Sequence, residues 1–107
     1  MPMYMIEASY SAEGLKGLMK DKASGRIQAV TEALAGFGGK VHSAFFTFGK
    51  HDVIVIAEIP DNMTAAGLSV AVSATGLVRT TTTPLLTVEE TDRALQTAVK
   101  YRGPGVK

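Results

Sequence analysis

A chain of 107 residues is the size of one domain, and that length encloses one modest hydrophobic core. Eleven lysines and arginines stand against ten aspartates and glutamates, a balance that leaves no electrostatic footprint for nucleic acid or an anionic membrane. Cysteine is absent, which excludes a disulfide framework, a thiolate nucleophile and a zinc–sulfur site, and fits a cytoplasmic protein.

The first residues carry no basic segment followed by an apolar run, so no secretory leader is expected. Residues Pro2 to Tyr10 read as a strand. Tyr4, Ile6, Ala8 and Tyr10 point one way; Met3, Met5, Glu7 and Ser9 point the other. Ser11 is placed to cap a helix with Glu13 in its first turn. Leu15, Leu18 and Met19, then Ile27, Val30, Ala33, Leu34 and Phe37, repeat at helical spacing. The pattern weakens at Ser24-Gly25, which predicts one helix kinked near Gly25 and ending at Gly38 or Gly39.

Val41 to Phe48 is β-branched and aromatic, the composition of a strand. Strict alternation puts His42, Ala44, Phe46 and Phe48 on one face and Val41, Ser43, Phe45 and Thr47 on the other. Gly49-Lys50-His51 makes a turn. Val53 to Ile59 is apolar at nearly every position, as a central strand is, and Pro60 ends it. Asp61 or Asn62 caps a thin helix from Met63 to Ala74, whose apolar stretch is too short to span a bilayer. After Gly76, Leu77 to Leu86 returns to strand. Thr87 and Glu90 predict a capping box for a last helix from Val88 to about Lys100. The domain is expected over residues 1–101, with 102–107 a flexible tail.

The order β-α-β-β-α-β plus a C-terminal helix is the α+β, ferredoxin-like pattern. Right-handed crossovers put the strands from Met3 and Val53 in the centre. Two helices cover one sheet face, yet the other is apolar too whichever register is chosen, through alternate positions such as Met3, Met5, Ile54 and Ile56 or their neighbours. A second subunit is the expected cover, so the pattern predicts a dimer or higher homo-oligomer, most simply with two sheets facing each other.

Four stretches carry a resemblance: Met1-Pro2-Met3-Tyr4, Ala35-Gly36-Phe37-Gly38-Gly39-Lys40, Phe46-Thr47-Phe48-Gly49-Lys50-His51-Asp52-Val53, and Gly76-Leu77-Val78-Arg79-Thr80-Thr81-Thr82. Together, from Met3 to about Glu90, the chain resembles the GYD domain family of small bacterial and archaeal proteins. The family's signature has a glycine, a tyrosine and an aspartate after an aromatic strand. Gly49 and Asp52 match, and His51 stands in place of the signature tyrosine. The resemblance implies the dimeric α/β-barrel group. That group includes cofactor-independent monooxygenases, haem-degrading enzymes, isomerase-like enzymes and small-molecule effector domains, so it implies no single activity.

His51 is the first candidate site residue, because an imidazole serves as general acid or base near neutral pH. Asp52 adjoins it, although neighbours on a strand point to opposite faces. The alternative is that both shape a polar turn, with the aspartate accepting backbone N–H bonds. Glu7 and Glu58 fall late in the two central strands and, depending on register, face one cavity. A poorly solvated, unpaired carboxylate there takes up a proton readily or anchors an amine. Arg79 is positioned to pair with either; the alternative is a salt bridge at a subunit interface or a solvent-exposed strand end. Tyr4 and Phe48 are candidate pocket walls, or simply packing residues. His42 and His51 lack a third ligand at any metal-site spacing, and no glycine motif for a nucleotide is present, so neither metal nor cofactor is expected.

Two functions compete. The first is a homo-oligomeric module that binds a small molecule or serves as a structural partner. The second is a cofactor-independent enzyme, monooxygenase- or isomerase-like, acting on a small hydrophobic substrate. In that reading His51, Glu58 and Glu7 are catalytic, and Arg79, Asp52, Phe48 and Tyr4 hold the ligand. Nucleic-acid binding lacks both a basic stripe and an exposed aromatic platform.

Overall fold

Apolar spacings of period two and of a helical turn alternate along the chain, and the elements follow them. In the computed structural model, which describes residues 1–107, these are β1 (Met3–Tyr10), α1 (Ala12–Ala35), β2 (Lys40–Phe46), β3 (Val53–Glu58), α2 (Asn62–Ser73), β4 (Val78–Leu85) and α3 (Val88–Leu95). The strands form one antiparallel sheet in the order β2-β3-β1-β4. The expected element order and central pair are therefore present.

Alternation decides what is buried. Tyr4, Ile6 and Ala8 of β1 stand beside Ala57, Val55 and Val53 of β3 on one face, and all six are buried. Leu34 of α1 and Ala65 of α2 cover them, with Ile59 just beyond β3. Burying a leucine such as Leu34 completely stabilises the fold by about 1.5–3 kcal/mol. The start of α1 is clamped to the start of β4. Ser11 N donates a 2.9 Å bond to the Leu77 carbonyl, and Ser11 Oγ caps the helix by accepting from Gly14 N at 3.1 Å. Asp61 caps α2 by accepting from Thr64 N at 2.8 Å.

Three local details depart from the sequence expectations. The break in α1 falls at Lys22 (φ 67°, ψ 166°), not at Gly25. Strand β2 carries a register shift between Val41 and Ser43. The extra residue moves Val41 to the helix-covered face with Ala44 and Phe46, and leaves His42 beside the open face. The last helix ends at Leu95 rather than near Lys100.

The expected dimeric α/β barrel is not formed. Strands β2 and β4 lie at opposite edges of the sheet, each paired on one side only, so the sheet is open. The helices cover one face, and the other is bare. The C-terminal segment also leaves the body. Every residue of α3 except Glu90 is exposed, and the molecule extends 59 × 32 × 23 Å. Its radius of gyration is 17.1 Å, against about 13 Å for a compact domain of 100 residues. No helix is long and apolar enough to cross a membrane.

Candidate functional site

The bare sheet face is built from alternate residues: Met3, Met5, Glu7 and Ser9 on β1, Ile54, Ile56 and Glu58 on β3, Arg79, Thr81, Thr83 and Leu85 on β4. One row across it reads Phe45, Ile54, Glu7, Thr81. Phe45 is two-thirds exposed, at 67%. An apolar strip thus meets a carboxylate.

The loop between β2 and β3 brings His51 to that carboxylate. Asp52 N donates 2.8 Å to the Ala8 carbonyl, and Tyr10 N donates 2.8 Å to Asp52 Oδ2. Thr47 N donates 2.8 Å to the Asp52 carbonyl, and Thr47 Oγ1 donates to the His51 carbonyl. These bonds pin the loop to β1. His51 Nε2 then lies 3.5 Å from Glu7 Oε2, and Nδ1 lies 3.3 Å from Ser9 Oγ. Both His51 and Glu7 side chains are 22% exposed.

Hydrogen-bond inventory fixes the polarity of this cluster. An ionised carboxylate only accepts, so in any hydrogen bond across the 3.5 Å to Glu7 it is Nε2 that donates. In the neutral imidazole Nδ1 is then an acceptor for the Ser9 hydroxyl. In the imidazolium Nδ1 donates to Ser9 Oγ instead, and the hydroxyl turns to the Lys50 carbonyl at 3.5 Å. Ser9, His51 and Glu7 thus stand in line, with Ser9 and His51 within hydrogen-bond distance and His51 and Glu7 in a longer ion-pair contact.

At the far end of the same face His42 Nε2 lies 2.5 Å from Glu58 Oε2. That bond from His42, with the charges of His42, the N-terminus and Lys40, holds the Glu58 carboxyl below its ordinary value, against a smaller opposing effect of desolvation. Glu58 and Glu7 share the face but not a site. Glu58 lies opposite Met3, four residues from Glu7, or about 13 Å along the strand. Late positions on antiparallel strands sit at opposite ends.

The remaining candidates are scattered. Arg79 is the register partner of Ser9, exposed at the Glu7–His51 end, and forms no ion pair. Asp52 is consumed in holding the loop. Phe48 lies outside β2 and is fully exposed. Tyr4 is on the helix-covered face, 2% exposed, and its hydroxyl donates 2.6 Å to Asn62 Oδ1 at the start of α2. No group of three His, Cys, Asp or Glu side chains is placed to hold a metal ion. Ser9 escaped the sequence reading. Its spacing two residues from Glu7 was visible, but its contact with His51 spans 42 positions.

The GYD domain model matches residues 4–95. Comparison with curated proteins gave no match, and comparison with solved structures gave none. The matched stretch runs from β1 to the end of α3 and includes the Gly49–Asp52 loop that positions His51. The chain belongs to the GYD domain family.

Proposed function

We propose that this chain is a cytoplasmic, self-associating module that binds a small, partly apolar molecule at the bare face of its sheet. The carrying observation is the His51 imidazole held between Glu7 and Ser9 beside Phe45 and Ile54. Polar groups converging next to an apolar surface supply two parts of a small-molecule site, and a second sheet laid over this face by self-association would supply the concavity. Arg79 supplies a free guanidinium at the same end for a carboxylate or carbonyl. Self-association is supported by the unpacked Met3, Met5, Ile54 and Ile56, and by Val88 and Leu95 on the projecting helix, which are 81% and 79% exposed. A chain without cysteine has no disulfide to lose in a reducing compartment.

The test is an amide-shift titration with phenylpyruvate, together with sedimentation equilibrium. Saturable shifts at Glu7, Ser9 and His51, weakened about tenfold by His51→Ala, are expected for the loss of one charge-assisted hydrogen bond. A titration that leaves these amides unmoved removes the ligand reading. A monomer at all micromolar concentrations removes self-association.

The Ser9–His51–Glu7 line favours a second reading, a cofactor-independent, isomerase-like enzyme for a small hydrophobic carbonyl compound. The imidazole would take a proton beside the carbonyl, with Glu7 stabilising the imidazolium. Deuterium wash-in from D2O beside the carbonyl of phenylpyruvate, abolished by His51→Ala, is the expected signature; an uncatalysed rate with the wild-type chain sinks it.

A further inference from the structure

A separate feature lies on the opposite, helix-covered side of the sheet. Helix α2 packs on β4, while α1 reaches β2 and β1. Where the two helices part, a cavity of about 140 Å³ remains. Its floor includes Ile6 and Val55, and its walls Val30 and Ala33 of α1 with Leu68 and Val72 of α2. The small Ala29 and Ala33 of α1 leave it unfilled. Twelve of its fourteen lining residues are hydrophobic; the exceptions are Thr80 and Arg26. Thr80 Oγ1 is already 2.6 Å from Ser69 Oγ. Arg26 is therefore the charged group left for a ligand, with the Tyr10 hydroxyl as a second polar atom in the lining.

Arg26 also lines a second cleft of about 280 Å³, whose other polar side chains are Glu13, Asp21 and Thr75. It stands where the apolar cavity and the polar cleft meet. Its only partner is Asp21, at a loose 3.6 Å, and both side chains are about a third to a half exposed, at 32% and 48%. The guanidinium has five N–H donors, so most of them are free. The strained break at Lys22 separates Asp21 from Arg26. Arg26, Val30 and Ala33 thus ride on one half of α1 and Asp21 on the other.

We infer that this junction is a binding site for a small amphipathic organic acid. The ring or branched chain enters the apolar cavity, and the carboxylate pairs with Arg26 in the cleft, displacing Asp21. The size fits. A dry apolar cavity of about 150 Å³ takes up benzene, and the two spaces together fall within the roughly 300–1,000 Å³ of small-ligand pockets. Arg26 is the only charged group lining the cavity, whereas Glu13 and Asp21 also line the cleft, so the carboxylate pairs with Arg26 at the cavity mouth by taking the place of Asp21. Arginine presents a planar fork that a carboxylate matches in two-point fashion.

The experiment uses benzoate and its neutral counterpart benzyl alcohol as probes of the full chain, read by calorimetry and by NOEs. Benzoate is expected to bind about tenfold or more tighter than benzyl alcohol, the effect of one charge-assisted pair. NOEs should run from the ring to the methyls of Ile6, Val55 and Leu68. Arg26→Gln should erase the preference for the acid while leaving the alcohol bound. Ala29→Leu, which fills the cavity from α1, should weaken both probes. If that variant unfolds, the NOEs decide in its place. The NOE pattern, with the ring against Ile6, Val55 and Leu68, separates this site from the one on the bare face. Ring NOEs to Met5 or Ile54 instead, no saturable binding, or an acid preference that survives Arg26→Gln each overturn the inference.

Discussion

Asp52 Oδ2 accepts a 2.8 Å hydrogen bond from the backbone N–H of Tyr10, and the Asp52 N–H donates 2.8 Å to the Ala8 carbonyl. One residue thus extends the β1–β3 ladder with its backbone and locks it with its side chain. His51, just before it in the chain, is carried to Ser9 and Glu7. Asp52 is a positioning residue, and its replacement tests this. Asp52→Ala should destabilise the protein by about 1.5–3 kcal/mol, the range for a hydrogen bond to a charged group. Amide exchange should quicken from Thr47 to Asp52. Asp52→Asn keeps an acceptor and should recover most of the loss. Urea melts of the two variants check this; equal losses would mean the aspartate acts through its charge alone.

The contact between α1 and β4 admits no side chain. A Cβ on Gly14 would lie 2.0 Å from the Leu77 carbonyl oxygen, which is backbone and cannot turn away. Gly14→Ala should cost about 1–3 kcal/mol, the usual penalty of overpacking, despite alanine's better helix propensity. Gly17→Ala, on the same helix with nothing within 4 Å of the added atom, is the control. It should stabilise by about 0.5–1 kcal/mol.

Lys22 holds a conformation (φ 67°, ψ 166°) that a side chain disfavours and glycine tolerates. Lys22→Gly should therefore raise stability by about 1 kcal/mol, the relieved strain exceeding the added freedom of the unfolded chain. Thermal melts at equal protein concentration read it. A lower melting temperature would show that the backbone there is unstrained.

Acid should weaken the fold. The His42 hydrogen bond lowers the Glu58 carboxyl from 4.5. The backbone N–H of Thr64 lowers Asp61 from 3.8, and that of Thr87 lowers Glu90 from 4.5. A carboxyl depressed in the folded state adds stability that is fully present above the unfolded value. It disappears as pH falls through the folded value. Urea midpoints should accordingly be flat above about pH 5 and drop below it on account of these groups. His42→Ala should return Glu58 toward its ordinary value and make the drop shallower; an unchanged slope would deny the pair any part in acid sensitivity.

Several features were legible because they depend on short-range spacing. Alternation in β1 sorted its residues onto two faces, and the apolar run from Val53 marked β3 as a central strand. Ser11, Asp61 and the Thr87–Glu90 pair named three helix starts, since a cap acts within three residues. The glycine–aspartate turn named the stretch that carries His51. Other features were hidden. Strict alternation put His42 with Phe46, because a bulge depends on how the partner strand is engaged. Glu7 and Glu58 looked alike, because burial pattern does not reveal which end of an antiparallel neighbour lies alongside.

The amino-acid sequence by itself determined the order of elements, their starts and the family, since each is written in residues close together along the chain. Only the tertiary structure decided that the sheet stays open with β2 and β4 as free edges, and that Ser9, Glu7 and His51 meet. It also decided that Arg26 stands between an apolar cavity and a polar cleft. Those relationships join segments tens of residues apart. Their geometry is set by strand register, a bulge and a helix break, each of which answers to packing across the whole fold.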